Sequence, residues 1–257
     1  MSNNNAARDY VKSLDLSGTP RGILAQDAAT EATEVFIGAR NQALVVGSGL
    51  FSFARGVTPE IREAISDSAL LAQLVANKRQ AMDASPMEWY GEYLGVLQNI
   101  GWVIQGGGWN DYSTKGSAVE VHQKIIEVLT VALGPSVAAT AIVKSALDAL
   151  QAMAPDSSWL TIFSRESQKA KMARFQIGLV EANEEADVFV SMLACLIEAK
   201  SSITQVLFFK FREEQATFKA NSAKASINKP AITDLGPTIR TKVRAYQADY
   251  LSSIKDI

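Results

Sequence analysis

Residues 188–197 constrain the fold of this chain more than any other part of it. Val188, Val190, Met192, Leu193, Cys195, Leu196 and Ile197 leave neither face of an extended segment polar. A strand of that kind needs protein above and below it. The neighbouring segments supply partners. Phe175, Ile177 and Leu179 alternate with Gln176, Gly178 and Val180, the period of two expected of a strand, and Asn183, Glu184 and Glu185 make a turn. A third strand is expected over residues 203–211, with Leu207, Phe209 and Phe211 on one face and Val206 and Phe208 on the other. Arg212, Glu213, Glu214 and Gln215 turn the chain into a last, long strand over residues 216–227. The connections are too short for parallel crossovers, so this region reads as an antiparallel meander.

The covering layers come from segments with helical period. Thr58-Pro59-Glu60 starts a helix, with a capping Thr, Pro in the first turn and an acid at the positive end of the dipole. Ser85-Pro86-Met87-Glu88 starts another, on which Trp89, Tyr90, Tyr93, Leu94, Leu97 and Ile100 recur at helical spacing. Residues 118–133 and 137–153 form two more, divided by Gly134 and Pro135; the second holds only Lys144 and Asp148 as charged groups. Pro230, Gly236 and Pro237 lead to a C-terminal amphipathic helix bearing Ile239, Val243, Tyr246, Tyr250 and Leu251. Residues 1–35 are polar and Ala-rich and read as an irregular arm, with one short helix over residues 27–36. Residues 42–53, β-rich and broken by Gly47 and Gly49, read as a short strand or a bulged extended segment. The fold class is therefore α+β: a single three-layer domain over residues 1–257, its antiparallel sheet drawn from the C-terminal half and covered by helices on both faces.

Composition excludes several function classes. A net charge of −2 and a pI near 5.6, without a basic stripe, give nucleic-acid binding no electrostatic support. Cys195 is the only cysteine, so no intrachain disulfide forms. The polar N-terminus lacks the apolar run of a secretory signal, and the longest apolar run, residues 128–143, is broken at Gly134-Pro135. The expectation is a protein made soluble in the cytoplasm and released by lysis or specialised secretion.

Catalytic signatures are scarce. His122 is the only histidine and lies beside an apolar helix stripe, which removes most Ser-His-Asp, Cys-His and zinc arrangements. Cys195 sits in the most apolar strand, where a thiol is inert. Gly47-Ser48-Gly49 lacks the third glycine of a dinucleotide turn, and Gly106-Gly107-Gly108 has no Lys-Ser/Thr after it; both read as turns or bulges. Glu181, Glu184, Glu185 and Asp187 crowd one turn, as a solvated hairpin tip would. We expect no enzyme activity, cofactor or metal; a cleft gathering Glu88, Glu92 and Asp111 would reopen carboxylate chemistry. Trp109 and Tyr112 flank Asn110-Asp111 in a Gly-rich loop and are the aromatics most suited to a membrane or partner contact.

Three stretches between residues 119 and 221 resemble the Cyt-type cytolytic delta-endotoxins of bacteria. One runs from Val121-His122-Gln123-Lys124 to Leu133-Gly134, the second is Trp159-Leu160-Thr161-Ile162-Phe163 leading into a strand, and the third is Gln205-Val206-Leu207-Phe208-Phe209. The order of an amphipathic helix, an apolar helix, a Trp-containing strand and a meander is also similar. The N-terminal half departs: residues 88–94 and 101–105 look more like uncharacterised bacterial proteins. The resemblance implies a central antiparallel sheet between helical layers, and pore formation or cytolysis after a conformational change. It implies a lipid membrane as partner and a homo-oligomer on it. Val206, Phe208, Phe218 and Ile227 then join Trp109 and Tyr112 as candidate membrane or partner contacts. A non-enzymatic protein that binds lipid or a small apolar ligand, or that self-assembles, is the alternative.

Overall fold

The computed structural model describes residues 2–19, 36–80, 85–112, 119–133, 137–153, 157–169, 171–185, 187–203, 206, 210–211 and 216–254. The N-terminal half contains α1 (Ser2–Ser13), β1 (Gln42–Val46), β2 (Gly49–Phe53), α2 (Pro59–Arg79), α3 (Pro86–Asn99), β3 (Trp102–Gly106), β4 (Asn110–Asp111) and β5 (Val119–Glu120). Next come α4 (Val121–Leu133), α5 (Val137–Ala152), α6 (Ser158–Ser167), β6 (Gln168–Lys169), β7 (Met172–Ala182) and β8 (Val188–Ala199). The chain continues through β9 (Lys210–Phe211), β10 (Ala216–Ile227), α7 (Lys229–Val243), α8 (Gln247–Tyr250) and β11 (Leu251–Ile254).

The expected α+β class and three-layer build hold. The main sheet runs β11-β1-β2-β7-β8-β10-β3, with β4 paired to β10 and β6 to β7. The doubly apolar strand β8 lies between β7 and β10, antiparallel to both over their full lengths. Side chains alternate across the sheet. One face carries Val180, Val188, Val190 and Ala225, which pack with α1, α2, α3 and α7. The other carries Phe175, Ile177, Leu193, Cys195, Ile197 and Phe218, which pack with α4, α5 and α6. They are called here the α2 face and the α4 face.

Several expectations need correction. The sheet is not confined to the C-terminal half, since β1, β2 and β3 contribute to it, and β2 pairs with β7 in parallel. Residues 42–53 form a hairpin, with Gly47 (φ 53°) turning β1 into β2. The start of the 1–35 arm is helical: α1 is held by Arg8 to Asp234 and by Lys242 Nζ donating to Lys12 O, and Val11 is buried. Of the helix over residues 27–36, only Phe36 lies inside the described residues, and it is not helical. Of the strand expected over residues 203–211, residues 204–205 and 207–209 lie outside the described residues; Lys210–Phe211 form β9, which pairs with β5 apart from the main sheet, and Ile203 and Val206 are buried and not in a strand. Trp159 is in α6, not in a strand. The C-terminal helix begins earlier, with Pro230 in its first turn and Pro237 inside it, and Leu251 belongs to a strand paired with β1. The expected start of a helix at residue 118, its divide at 134–136 and the turn at 212–215 lie outside the described residues.

Candidate functional site

The two helical layers are attached to the sheet by different means. On the α2 face, buried polar side chains tie helices to strands. Gln73 of α2 donates to Val46 O at 2.7 Å and accepts from Ser48 N at 2.9 Å. Arg62, fully buried, donates to the carbonyls of Val57, Arg40 and Ala54 and to Gln42 Oε1. Asn77 accepts from Trp89 Nε1 at 2.8 Å and from Arg174 Nη2 of β7 at 3.2 Å. The Tyr90 hydroxyl reaches the carbonyls of Phe175 (2.6 Å) and Cys195 (3.1 Å) on adjacent strands. Each bond is directional, and breaking it without water leaves a buried polar group unpaired.

On the α4 face the contacts that the described residues of α4 and α5 make with the sheet are apolar packing. Val121, Ile125, Val128 and Leu129 of α4, and Val143, Leu147 and Leu150 of α5, face the sheet residues Phe175, Ile177, Leu193 and Ile197. The charged side chains of these helices satisfy one another within their own helix. Lys124 pairs with Glu127 at 2.7 Å, and Lys144 with Asp148 at 2.5 Å. Thr130 Oγ1 donates back to Ile126 O in the same helix. None of these bonds is lost if the pair of helices moves off the sheet.

The helical cover of the α4 face stops short of the far end of the sheet. There Glu181 of β7, Phe189 of β8, Ser226 of β10 and Val103 of β3 stand in one cross-strand row. Phe189 and Val103 are 45% and 56% exposed, and Val131 of α4 is 74% exposed. The next same-face residues along these strands, Ser191, Lys224 and Gln105, together with Ser222 and with Leu129 and Ala132 of α4, wall an open cleft of about 300 Å³. Burial pushes the Glu181 carboxyl up, and the nearby Lys224 ammonium opposes that shift.

The residues expected to touch a membrane or partner do not form one surface. Val206 and Phe218 are buried under the α4 face, where half-buried Tyr112 lies 6.5 Å from Phe218, ring to ring. Trp109 is half-buried against the α2-face cluster, 5.2 Å from the Tyr90 ring, and Ile227 is buried in the same cluster. Phe208 lies outside the described residues. Cys195 is fully buried beneath α4, α5 and α6, and burial holds its thiol well above the usual range. Glu92 pairs with Arg79, and no cluster of three His, Cys, Asp or Glu side chains able to hold a metal occurs among the described residues. Among those residues no helix is long and apolar enough to cross a membrane.

Comparison with known proteins gives distant structural likenesses and nothing closer. No protein family and no curated protein matches the sequence. A delta-endotoxin structure aligns over 70% of this chain and 80% of its own, at 14% identity and a TM-score of 0.42. The activated Cyt2Ba monomer from Bacillus thuringiensis subsp. israelensis aligns over 71% and 98%, at 15% identity and a TM-score of 0.38. The Evf virulence factor aligns over 95% and 88%, at 13% identity and a TM-score of 0.32. All three likenesses are weak ones.

Proposed function

We propose that this chain is a membrane-active protein of the cytolytic kind, whose α4–α5 pair leaves the sheet and presents the apolar face beneath it to lipid. The asymmetry of attachment carries this reading. Helices on the α2 face are bonded to the strands, whereas the described side chains of α4 and α5 pack on them through apolar groups, with the ion pairs Lys124–Glu127 and Lys144–Asp148 inside each helix. A bilayer replaces apolar packing without cost in unpaired polar groups, which it cannot do for bonds such as Gln73 to Val46.

Length decides what inserts. At about 1.5 Å per residue, the 13 residues of α4 and the 16 of α5 are shorter than the roughly 30 Å of hydrocarbon. They suit the interface plane, apolar side down. A spanning strand needs about 9–11 residues, and β7, β8 and β10 have 11, 12 and 12. Their α4 face is apolar across Phe175, Ile177, Leu193, Ile197 and Phe218 and turns polar toward Ser191, Ser222 and Lys224; their other face mixes Arg174, Gln176 and Asn221 with Val180, Val188 and Val190. Three strands leave open edges, which hydrocarbon does not tolerate, so several copies must pair to close a barrel. Release of entrapped calcein from phospholipid vesicles tests the reading. Concentration-dependent leakage is expected; intact vesicles across lipid composition, pH and protease pretreatment would overturn it.

A further inference from the structure

On the other side of the sheet the seam between α3 and the strands holds a small, partly open cavity of about 50 Å³. Leu94 of α3, Ile104 of β3 and Met192 of β8 supply apolar wall, and Tyr93 and Gln176 supply polar groups. Two of those polar groups are unsatisfied. The Tyr93 hydroxyl, on a residue 1% exposed, has no hydrogen-bond partner among the described residues. One end of the Gln176 carboxamide lies 3.3 Å from Ser48 Oγ, and its other end has no partner, although the residue is 3% exposed. Buried polar atoms are rarely left this way, and two beside one void point to an occupant.

A glycine loop forms part of the wall. Gly106 and Gly107 adopt φ of 102° and 111°, conformations that L side chains rarely adopt. The next residue, Gly108, donates its N–H to Asn221 Oδ1 at 3.3 Å, and Trp109 then covers Tyr90. The β3–β10 ladder anchors this loop at Gly106 and the β4–β10 pair anchors it at Asn110 and Asp111; between them the Gly108 bond and the Trp109 ring lie over the seam.

We propose that the α3 seam is a binding site for a small neutral alcohol with an apolar body. No charged side chain lines the void, and an unpaired buried charge is costly, which favours a neutral ligand. A hydroxyl both donates and accepts, so it satisfies Tyr93 and Gln176 whichever way the carboxamide lies. The space suits about four to eight heavy atoms once the Met192 and Leu94 side chains adjust. This site is separate from the apolar face proposed to meet lipid, and neither depends on the other.

The test uses the full chain with 13C-labelled methionine methyl groups, titrated with cyclopentanol and, in parallel, cyclopentane. A saturable shift of the Met192 methyl resonance with the alcohol is expected, with weaker binding of the hydrocarbon. Tyr93→Phe is expected to weaken alcohol binding about five- to tenfold, the worth of one hydrogen bond. Gln176→Met provides a second variant should the first fail to fold. An unmoved Met192 resonance, equal affinity for alcohol and hydrocarbon, or unchanged binding in both variants would overturn the site and leave a void filled by water alone.

Discussion

The ring of Phe51 lies across Gly178, so that a Cβ at Gly178 would come within 2.5 Å of it. Phe51 belongs to β2 and Gly178 to β7, paired directly in the parallel register that joins the N-terminal hairpin to the meander. Phe51 is fully buried, and its ring also lies against Gly49, where a Cβ would come within 2.8 Å of it. Gly178→Ala is therefore expected to cost about 1–3 kcal/mol through overpacking, read as a lower urea midpoint with an unchanged slope. A midpoint equal to the parent's would show that the ring relocates freely. The sequence displays Gly178 as a break in a strand pattern, but what fills the gap comes from a residue 127 positions earlier and is not legible locally. The same limit hid the candidate surface. Phe189 reads as one apolar residue among many in β8, and its exposure follows only from where the helical cover ends.

Elements were legible where local chemistry sets them. Pro59 and Pro86 mark the starts of α2 and α3, and the doubly apolar pattern of β8 identifies the sheet's centre. Elements set by distant partners were not. Helix α1 is polar by composition and is held by contacts to α7, and β11 exists because β1 offers it an edge. Within residues 203–211 the described pair Lys210–Phe211 forms β9, and its partner is β5 and not a strand of the main sheet. The α2–α7 junction carries a testable electrostatic feature. Asp67, 2% exposed, accepts from Arg240 Nε at 3.0 Å and from Gln247 Nε2 at 2.6 Å, and Arg240 also reaches Glu63. Burial raises the Asp67 carboxyl above its ordinary value, with Arg240 and Gln247 opposing. Between the ordinary and the raised value the folded chain holds this proton and the unfolded chain does not. This group's contribution to stability is therefore greatest below that window, falls as pH rises through it, and levels off above. Asp67→Asn is expected to remove that fall from a series of urea midpoints taken across the acidic range. A fall of unchanged size would assign it to other groups.

For the whole molecule, three layers around one sheet could be read from the alternation of periods, because a strand apolar on both faces admits few other arrangements. The difference between the two helical layers could not. It depends on single polar residues, Gln73, Asn77 and Arg62, that belong to no motif and become ties only when their partners are brought beside them. That difference is the basis for the proposal that the α4 face meets lipid, and the only thiol in the chain reports on it. Cys195 lies fully buried under α4, α5 and α6, with its thiol held protonated by burial. The rate of maleimide labelling of Cys195, measured with and without phospholipid vesicles, is therefore the most direct measurement. In solution the thiol is expected to be unreactive. Addition of vesicles is expected to speed labelling at least tenfold, in step with calcein release, as α4 and α5 leave the sheet, and a lipid-soluble maleimide would report the same opening where the exposed face enters the bilayer. Leakage with Cys195 still protected from both reagents would contradict opening of this face, and would move the membrane-active surface elsewhere on the molecule.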